Sequence, residues 1–209
     1  MTISKLLSIQ IGKTKTYTDI QGTWETAFYK EPFSGPIFLG LTGLEGDSQA
    51  NKKHHGGPEK AVLFYSGGHY PKWKEELGIE LPFGGFAENL TVSGLDETSV
   101  YIGDIYQVGS VRLQVTQARV PCSKIPRRWG IPDLLERVLE TRRFGWYCRV
   151  LLEGQVEAGL TIELIERPHP DWPVVRAFEV YTKRNGQKTV VQELASLASL
   201  SEDWRRELV

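Results

Sequence analysis

Residues 105–116 read IYQVGSVRLQVT, and this stretch decides the fold class. After Gly109-Ser110, the apolar residues Val111, Leu113 and Val115 alternate with polar ones, which is the pattern of a strand with one buried face. Glycine at the first position of a two-residue loop suits a type II′ turn. The stretch therefore predicts a β-hairpin, with its first strand at residues 105–108.

Other segments carry the same signal. Leu7, Ile9 and Ile11 alternate with polar residues before Gly12, which predicts a half-buried strand. A second hairpin is predicted where residues 146–152 turn at Glu153-Gly154 and continue into residues 155–165. Many short strands with frequent glycine turns are typical of a barrel or a sandwich. We therefore expect a mainly β fold.

Helices are expected within and after the strands. Residues 70–77 have proline near the start and glycine just past the end, and apolar residues fall on one helical face over residues 131–139. Three prolines in residues 168–173 then break the pattern, and three short helices should follow, the last one capped by Ser201. This predicts a barrel domain at residues 1–167 and a small three-helix domain at residues 174–209. Such short helices bury little surface alone, so we expect them to pack on the barrel or on a second copy in a homodimer.

Composition excludes several classes of protein. The chain has 209 residues, 40% of them hydrophobic, and a formal net charge of −1, so no global field favours nucleic acid. An apolar run long enough to span a membrane is absent, and the first residues do not resemble a signal peptide. The two cysteines lack the spacing of a zinc site and favour reduced thiols in a cytoplasm.

Cys122 is the first candidate for chemistry. It lies in QARVPCSK, residues 117–124, directly after a predicted strand and between Arg119 and Lys124. A thiolate flanked by cations can be a metal ligand or a nucleophile, although a silent structural thiol is an equal alternative. Cys148 lies between Tyr147 and Arg149 in a predicted strand, so we expect it to be a packed thiol.

The second candidate is the loop GDSQANKKHHGGP at residues 46–58. Its two glycines allow backbone N–H groups to approach an anion, and its histidines could donate hydrogen bonds to an oxyanion. Asp47 and Asn51 could hold a heterocycle or pin the loop. An ordinary surface loop is the alternative. The residues concerned are Asp47, Asn51, His54, His55, Gly56 and Gly57.

Weaker candidates lie elsewhere. Most lysines are only solvated, and Asn89 could be a turn residue or a ligand contact. Arg149 has no obvious acidic partner in the sequence. The cations and amide in this group are Lys13, Lys15, Lys30, Asn89 and Arg149.

Taken in order, several short motifs resemble the MOSC domain, a module named after the C-terminal part of molybdenum cofactor sulfurase. They are GLEGDSQAN (43–51), HGGPEKAV (55–62), ENL (88–90), YIGD (101–104), RVPC (119–122) and GW (145–146). The resemblance covers about residues 5–165, and the helical tail resembles the three-helix extension of the YiiM-like branch. Asn51 stands where aspartate is common in the family, and Ala118 where proline is frequent.

The resemblance implies a MOSC-type β-barrel and a molybdenum-pterin cofactor with Cys122 as the protein ligand to the metal. It also implies reductive removal of oxygen from N-hydroxylated bases such as 6-hydroxylaminopurine, with His55 suited to act as general acid. Because iron–sulfur and dinucleotide motifs are absent from the sequence, electrons would come from a separate redox protein. The cofactor-binding residues expected are Lys13, Lys30, Asp47, Asn51, His55, Gly56, Gly57, Asn89, Arg119, Ser123 and Arg149.

Two other functions remain open at this point. In one, the protein carries the cofactor or handles sulfur, with Cys122 holding a persulfide and no substrate turned over. In the other, Cys122 is the nucleophile of a hydrolase and is activated by His55. Metal analysis distinguishes the reductase from the carrier, because a reductase should retain stoichiometric molybdenum when it is expressed in a host that makes the cofactor. A hydrolase would need no metal and would react with acylating probes.

Overall fold

The computed structural model of the chain describes residues 3–50, 56–183 and 188–209. The strands are β1 Ser4–Ile11, β2 Lys15–Asp19, β3 Gly22–Thr26, β4 Glu31–Phe33, β5 Ile37–Gly40, β6 Gly43–Leu44, β7 Val62–Ser66, β8 Leu90–Ser93, β9 Ile105–Val108, β10 Val111–Ala118, β11 Trp146–Leu152, β12 Gly154–Val156 and β13 Thr161–Glu166. The helices are α1 His69–Leu77, α2 Lys124–Trp129, α3 Leu134–Thr141, α4 Val174–Thr182, α5 Lys188–Ser196 and α6 Glu202–Leu208, and a short 3₁₀ helix covers Pro58–Lys60.

Seven strands of the described chain close into a barrel. Their order is β1-β13-β9-β10-β11-β7-β8, and β8 pairs with β1 to complete the circle. Neighbouring strands are antiparallel except β7 and β8, which run parallel. Closure removes the exposed edges that an open sheet would present. The prediction of a mainly β barrel is confirmed.

The hairpin at residues 105–116 forms as its pattern predicts. Val111 pairs with Val108 across the loop, and Gly109 has a φ of 58°, a conformation that glycine adopts without strain. Val108, Val111, Leu113 and Val115 are all fully buried, so the apolar face of the hairpin lines the barrel interior.

The second predicted hairpin is wrong. After β11, the short strand β12 pairs with β5, while β13 pairs with β9 and β1. The Glu153 carboxylate accepts the Leu41 N–H at 2.7 Å, which joins this turn to the β5–β6 strands. Alternation in a sequence shows that a segment is a strand, but closure of the barrel decides its partner.

The helices inside the barrel domain agree with the sequence in part. Helix α1 begins at His69 and ends before Gly78, whose φ of 68° is that of a left-handed cap. The other predicted helix begins at Leu134 instead of residue 131. Helix α2 was not predicted, since Pro126 interrupts its pattern, but proline is tolerated in a first helical turn.

The three C-terminal helices pack on the barrel of their own chain. The Val174 N–H donates to Val100 O at 2.8 Å, and the Ile102 N–H donates to Trp172 O at 2.9 Å. Ser201 caps α6 as predicted, because its Oγ accepts the Trp204 N–H at 3.3 Å. The apolar residues of the tail belong to the same buried cluster as the barrel core, including Trp172, Val174, Ala177, Phe178, Leu194, Leu200 and Trp204. None of the described helices has the length and hydropathy needed to span a bilayer.

Candidate functional site

A cleft with an empty volume of about 610 Å³, part of it open to solvent, lies where β10 ends and α2 begins. The residues around it are Thr26, Ala27, Phe28, Lys30, Asp47, Ser48, Gln49, Ala50, Lys60, Leu63, Ala87, Asn89, Arg119, Cys122, Lys124 and Tyr147. The cleft therefore brings together residues that are far apart in sequence.

Cys122 lies on the turn that joins β10 to α2. The Arg119 N–H donates to Gly145 O at 3.0 Å, and Cys122 O accepts the Ile125 N–H at 3.1 Å, so hydrogen bonds fix both sides of the turn. Cys122 is a half-buried free thiol, whereas Cys148 is fully buried in β11 and burial raises its pKa well above the ordinary value. Cys148 is thus a packed thiol, and Cys122 is the one that faces the cleft.

Arg119 gives the cleft a buried positive charge. The residue is only 4% exposed, and its Nη1 has no hydrogen-bond partner among the residues that the structure describes. Its guanidinium carbon lies 6.0 Å from the centre of the Phe28 ring. A buried cation without a paired anion is costly, so this position suits an anionic ligand.

Lys30, Asp47 and Asn89 form a buried network at one side of the cleft. The Lys30 Nζ lies 2.5 Å and 2.7 Å from the two carboxylate oxygens of Asp47. Asp47 also accepts the Gly12 N–H at 2.7 Å and the Asn89 Nδ2–H at 2.8 Å. Burial lowers the pKa of Lys30, and the Asp47 charge opposes that shift.

This network holds the loop in place and leaves few polar atoms for a ligand. The Asn89 Oδ1 accepts the Leu63 N–H at 3.2 Å, and its Nδ2 also donates to Gln10 O at 3.3 Å. The Asp47 carboxylate pairs with the Lys30 ammonium and accepts hydrogen bonds from two further donors. Of the two roles considered for Asp47, pinning the loop is the one that these contacts perform.

The glycine turn lies beside the cleft. Gly57 has a φ of 85° and precedes the 3₁₀ helix, where the Lys60 N–H donates to Gly57 O at 3.1 Å. Gly56 has a φ of 149°, so both positions favour glycine. Asn51 and His55, together with His54, lie outside the described residues.

Three residues expected to bind cofactor lie away from the cleft wall. Lys13 borders a separate groove with Lys15 and Tyr29, and Ser123 is exposed at the start of α2. Arg149 pairs with Glu59 at 2.9 Å and donates to Ser199 O at 2.8 Å. Arg149 thus has an acidic partner, which the sequence could not reveal because the two residues are 90 positions apart.

Lys60 and Tyr147 line the cleft and were not predicted as site residues, and Lys124, which also lines it, was noted only as a cation near Cys122 in sequence. For Tyr147 a signal existed, since adjacent residues of a strand face opposite sides. Trp146 stacks on Phe64 in the core at 5.7 Å between ring centres, so its neighbour faces the other way. Desolvation raises the pKa of Tyr147, so its phenol stays protonated at neutral pH and can donate a hydrogen bond.

The arrangement offers a half-buried thiol beside cations on a partly apolar wall. In the described part of the chain, no group of three His, Cys, Asp or Glu residues lies close enough to hold a metal ion. Among the described residues, Cys122 therefore does not belong to a complete metal-binding set.

Comparisons with known proteins agree with this architecture. The family model described as "MOSC domain" matches residues 51–163. The protein YflK of Bacillus subtilis is 38% identical over 200 residues, which cover 96% of this chain and 90% of YflK. A Gibberella moniliformis protein named "Reductase" is 38% identical over 196 residues, which cover 92% of this chain but only 35% of that longer protein.

A solved structure shares the whole architecture. The crystal structure of YiiM from Geobacillus stearothermophilus superposes with a TM-score of 0.82 at 31% identity, covering 98% of this chain and 97% of that one. The likeness thus extends through the C-terminal helices as well as the barrel. The chain therefore belongs to the MOSC domain family and is a YiiM-like member of it.

Proposed function

We propose that the protein is a molybdenum cofactor-dependent reductase of N-hydroxylated compounds such as 6-hydroxylaminopurine. The observation that carries the proposal is the Nη1 of buried Arg119, which has no hydrogen-bond partner in the part of the chain that the structure describes and lies in the same cleft as the half-buried Cys122 thiol. MOSC family membership and a relative named as a reductase support an oxidoreductase role.

The residues of the cleft fit a molybdenum-pterin cofactor. A thiolate at Cys122 is a suitable soft ligand for a metal that is otherwise held by sulfur. The planar guanidinium of Arg119 can bind a phosphate or an oxo group through two hydrogen bonds. When bound, the cofactor would supply the two-electron redox chemistry of the reaction.

The side chains of the chain would supply protons and orientation. Reduction of an N-hydroxyl group consumes two electrons and two protons and releases an amine and water, so the departing oxygen must be protonated. We assign this general-acid role to His55 on the resemblance to the family, and the protonated phenol of Tyr147 is a hydrogen-bond donor that lines the cleft. Phe28 and Leu63 give the cleft apolar surface against which a planar base can rest.

The electrons would come from a separate redox protein, and we propose a cytoplasmic homodimer as the working form. Sedimentation of the full-length chain tests the assembly, since a homodimer has twice the mass of one chain. A concentration-independent monomer would contradict the homodimer and leave the proposed reaction unaffected.

Metal analysis tests the function. The protein is purified from a host that makes the pterin and from one that cannot, and molybdenum is measured in both samples. We expect about one molybdenum per chain from the first host only, with 6-hydroxylaminopurine reduced by that sample under a chemical electron donor. Molybdenum without turnover would favour a cofactor carrier, and reduction by the metal-free sample would contradict a molybdenum-dependent reaction. A metal-free protein that does not reduce the substrate but reacts with an acylating probe would favour the hydrolase.

A further inference from the structure

An ion pair links the cleft to the last helix of the chain. The Lys60 Nζ donates to Asp203 Oδ2 at 2.8 Å, and Lys60 lines the cleft with a side chain that is 9% exposed. Asp203 lies in the first turn of α6 and is 40% exposed. A residue of the C-terminal tail is therefore in direct contact with a cation of the candidate site.

Further contacts join the same two segments. Glu59, next to Lys60, pairs with Arg149, which also donates to Ser199 O at 2.8 Å. The Thr116 hydroxyl donates to Glu59 O at 2.7 Å, and the Ser201 N–H donates to Thr116 O at 3.1 Å. The 3₁₀ helix and the start of α6 are thus held together independently of the Lys60–Asp203 pair.

The charge of Asp203 opposes anion binding in the cleft. A carboxylate 2.8 Å from the ammonium of Lys60 cancels much of the field that this cation would otherwise project. An anion that contacts Lys60 must share the ammonium with Asp203 or displace it. Displacement leaves Asp203 with another partner, because its Oδ1 lies 2.7 Å from Arg206.

We propose that Asp203 is a counter-ion that competes with anionic ligands for Lys60. An oxyanion entering the cleft takes Lys60 from Asp203, so Asp203 lowers the affinity of the cleft for anions and α6 loosens when the cleft is filled. The inference rests on the proposed function only in treating the cleft as an anion site. It gives the C-terminal helix a role in ligand binding beyond packing.

The test measures binding of inorganic phosphate by calorimetry to protein from the host that cannot make the pterin. Asp203→Asn should bind phosphate about two- to fivefold more tightly than wild type, the scale of an ion pair that is partly exposed. The matched control is Glu179→Gln. Glu179 is also a tail carboxylate, 39% exposed, and pairs with Arg142 at 2.6 Å without lining the cleft. Its removal should leave phosphate affinity unchanged.

Hydrogen exchange provides a second measurement. Saturating phosphate should speed exchange of the α6 amides in wild type, and it should have no such effect in Asp203→Asn, where the contact is already weakened. Thermal melts verify that both variants remain folded.

Equal or weaker phosphate binding by Asp203→Asn would overturn the inference, and so would a wild-type chain that binds no phosphate. Neither result depends on metal content or turnover, by which the proposed reductase function is judged. Tighter phosphate binding by both Asp203→Asn and Glu179→Gln would also contradict the inference about Asp203, because the effect would then arise from general loosening of the tail.

Discussion

At the scale of single residues, the two thiols of the chain have opposite surroundings. Cys122 is half-buried on the cleft and Cys148 is fully buried in β11. Cys122→Ala should abolish both molybdenum retention and reduction of 6-hydroxylaminopurine, and Cys122→Ser should do nearly the same, because a hard hydroxyl replaces thiolate poorly. Cys148→Ala should retain activity. If Cys148→Ala lost molybdenum and activity while Cys122→Ala kept both, the assignment of Cys122 would be wrong.

Substitutions of Arg119 test whether this side chain binds an anion in the cleft. Arg119→Ala should weaken cofactor retention by about 1.5–3 kcal/mol, the scale of a charge-assisted hydrogen bond. Arg119→Lys should recover only part of this, because an ammonium cannot reproduce a planar fork. Arg112→Ala removes an arginine of the preceding strand β10 that does not line the cleft, and it is the control. Full molybdenum content in purified Arg119→Ala would contradict the role of this side chain.

At the scale of elements, sequence patterns within a segment predicted the hairpin β9–β10 and the helix α1. The hairpin β9–β10 depends on alternation and a two-residue turn, and α1 depends on a proline and a glycine at its ends; these signals lie within the segments themselves. The partner of β13 could not be predicted, because barrel closure decides it across more than fifty residues.

In the candidate site, too, the sequence predicted individual residues but not the contacts that form only in the folded chain. The sequence marked Lys30, Asp47, Asn89, Arg119 and Cys122, and the structure places all of them along one cleft. It could not show that Asp47 matches the charge of Lys30, since that contact spans 17 residues and arises only in the folded chain. Nor could it mark Lys60, whose cleft position and contact with Asp203 depend on the docking of α6.

The Lys60–Asp203 contact predicts a pH dependence. The hydrogen bond from Lys60 holds the pKa of the Asp203 carboxyl below its ordinary value. A carboxyl with a depressed folded-state pKa stabilises the fold above the unfolded pKa of about 3.9. This stabilisation disappears as the pH falls through the folded-state pKa.

Wild type should therefore have a higher Tm than Asp203→Asn at pH 7, and this difference should shrink as the pH falls below about 3.9. For a pair that is partly exposed, the expected difference is about 0.2–1 kcal/mol, or a few degrees at most in Tm. Melting curves of both proteins across this range provide the measurement. A gap that stayed constant down to pH 3 would exclude Asp203 ionisation as its cause.

At the scale of the whole molecule, a chain of net charge −1 concentrates cations at one cleft. Arg119 and Lys124 lie at the two ends of the turn from β10 to α2, and the fold brings Lys60 of the 3₁₀ helix to the same cleft. Local charge of this kind attracts anionic ligands without the global basic field of a nucleic-acid-binding protein.

The tail and the barrel share one hydrophobic cluster, which decides what a truncation will do. Deleting residues 174–209 removes Phe178 and Trp204 and uncovers the side of β10 that α4 covers. Each large buried side chain contributes about 1.5–3 kcal/mol, so the loss of several is comparable with the roughly 5–15 kcal/mol by which a domain is stable. The truncated chain should therefore aggregate or lose its cooperative melting transition, as judged by size-exclusion chromatography and circular dichroism.

Trp204→Ala is the milder form of the same experiment. It removes one fully packed indole that stacks on Tyr181 at 4.0 Å between ring centres, and it should cost about 3–5 kcal/mol in a urea titration. Arg206 is exposed in the same helix, so Arg206→Ala should cost far less and serves as the control.

If the truncated chain of residues 1–173 instead formed a soluble barrel with a cooperative transition, residues 174–209 would be a separate domain. The shared cluster would then contribute little to the stability of the barrel, and the apolar face of the tail would be available to a second copy of the chain.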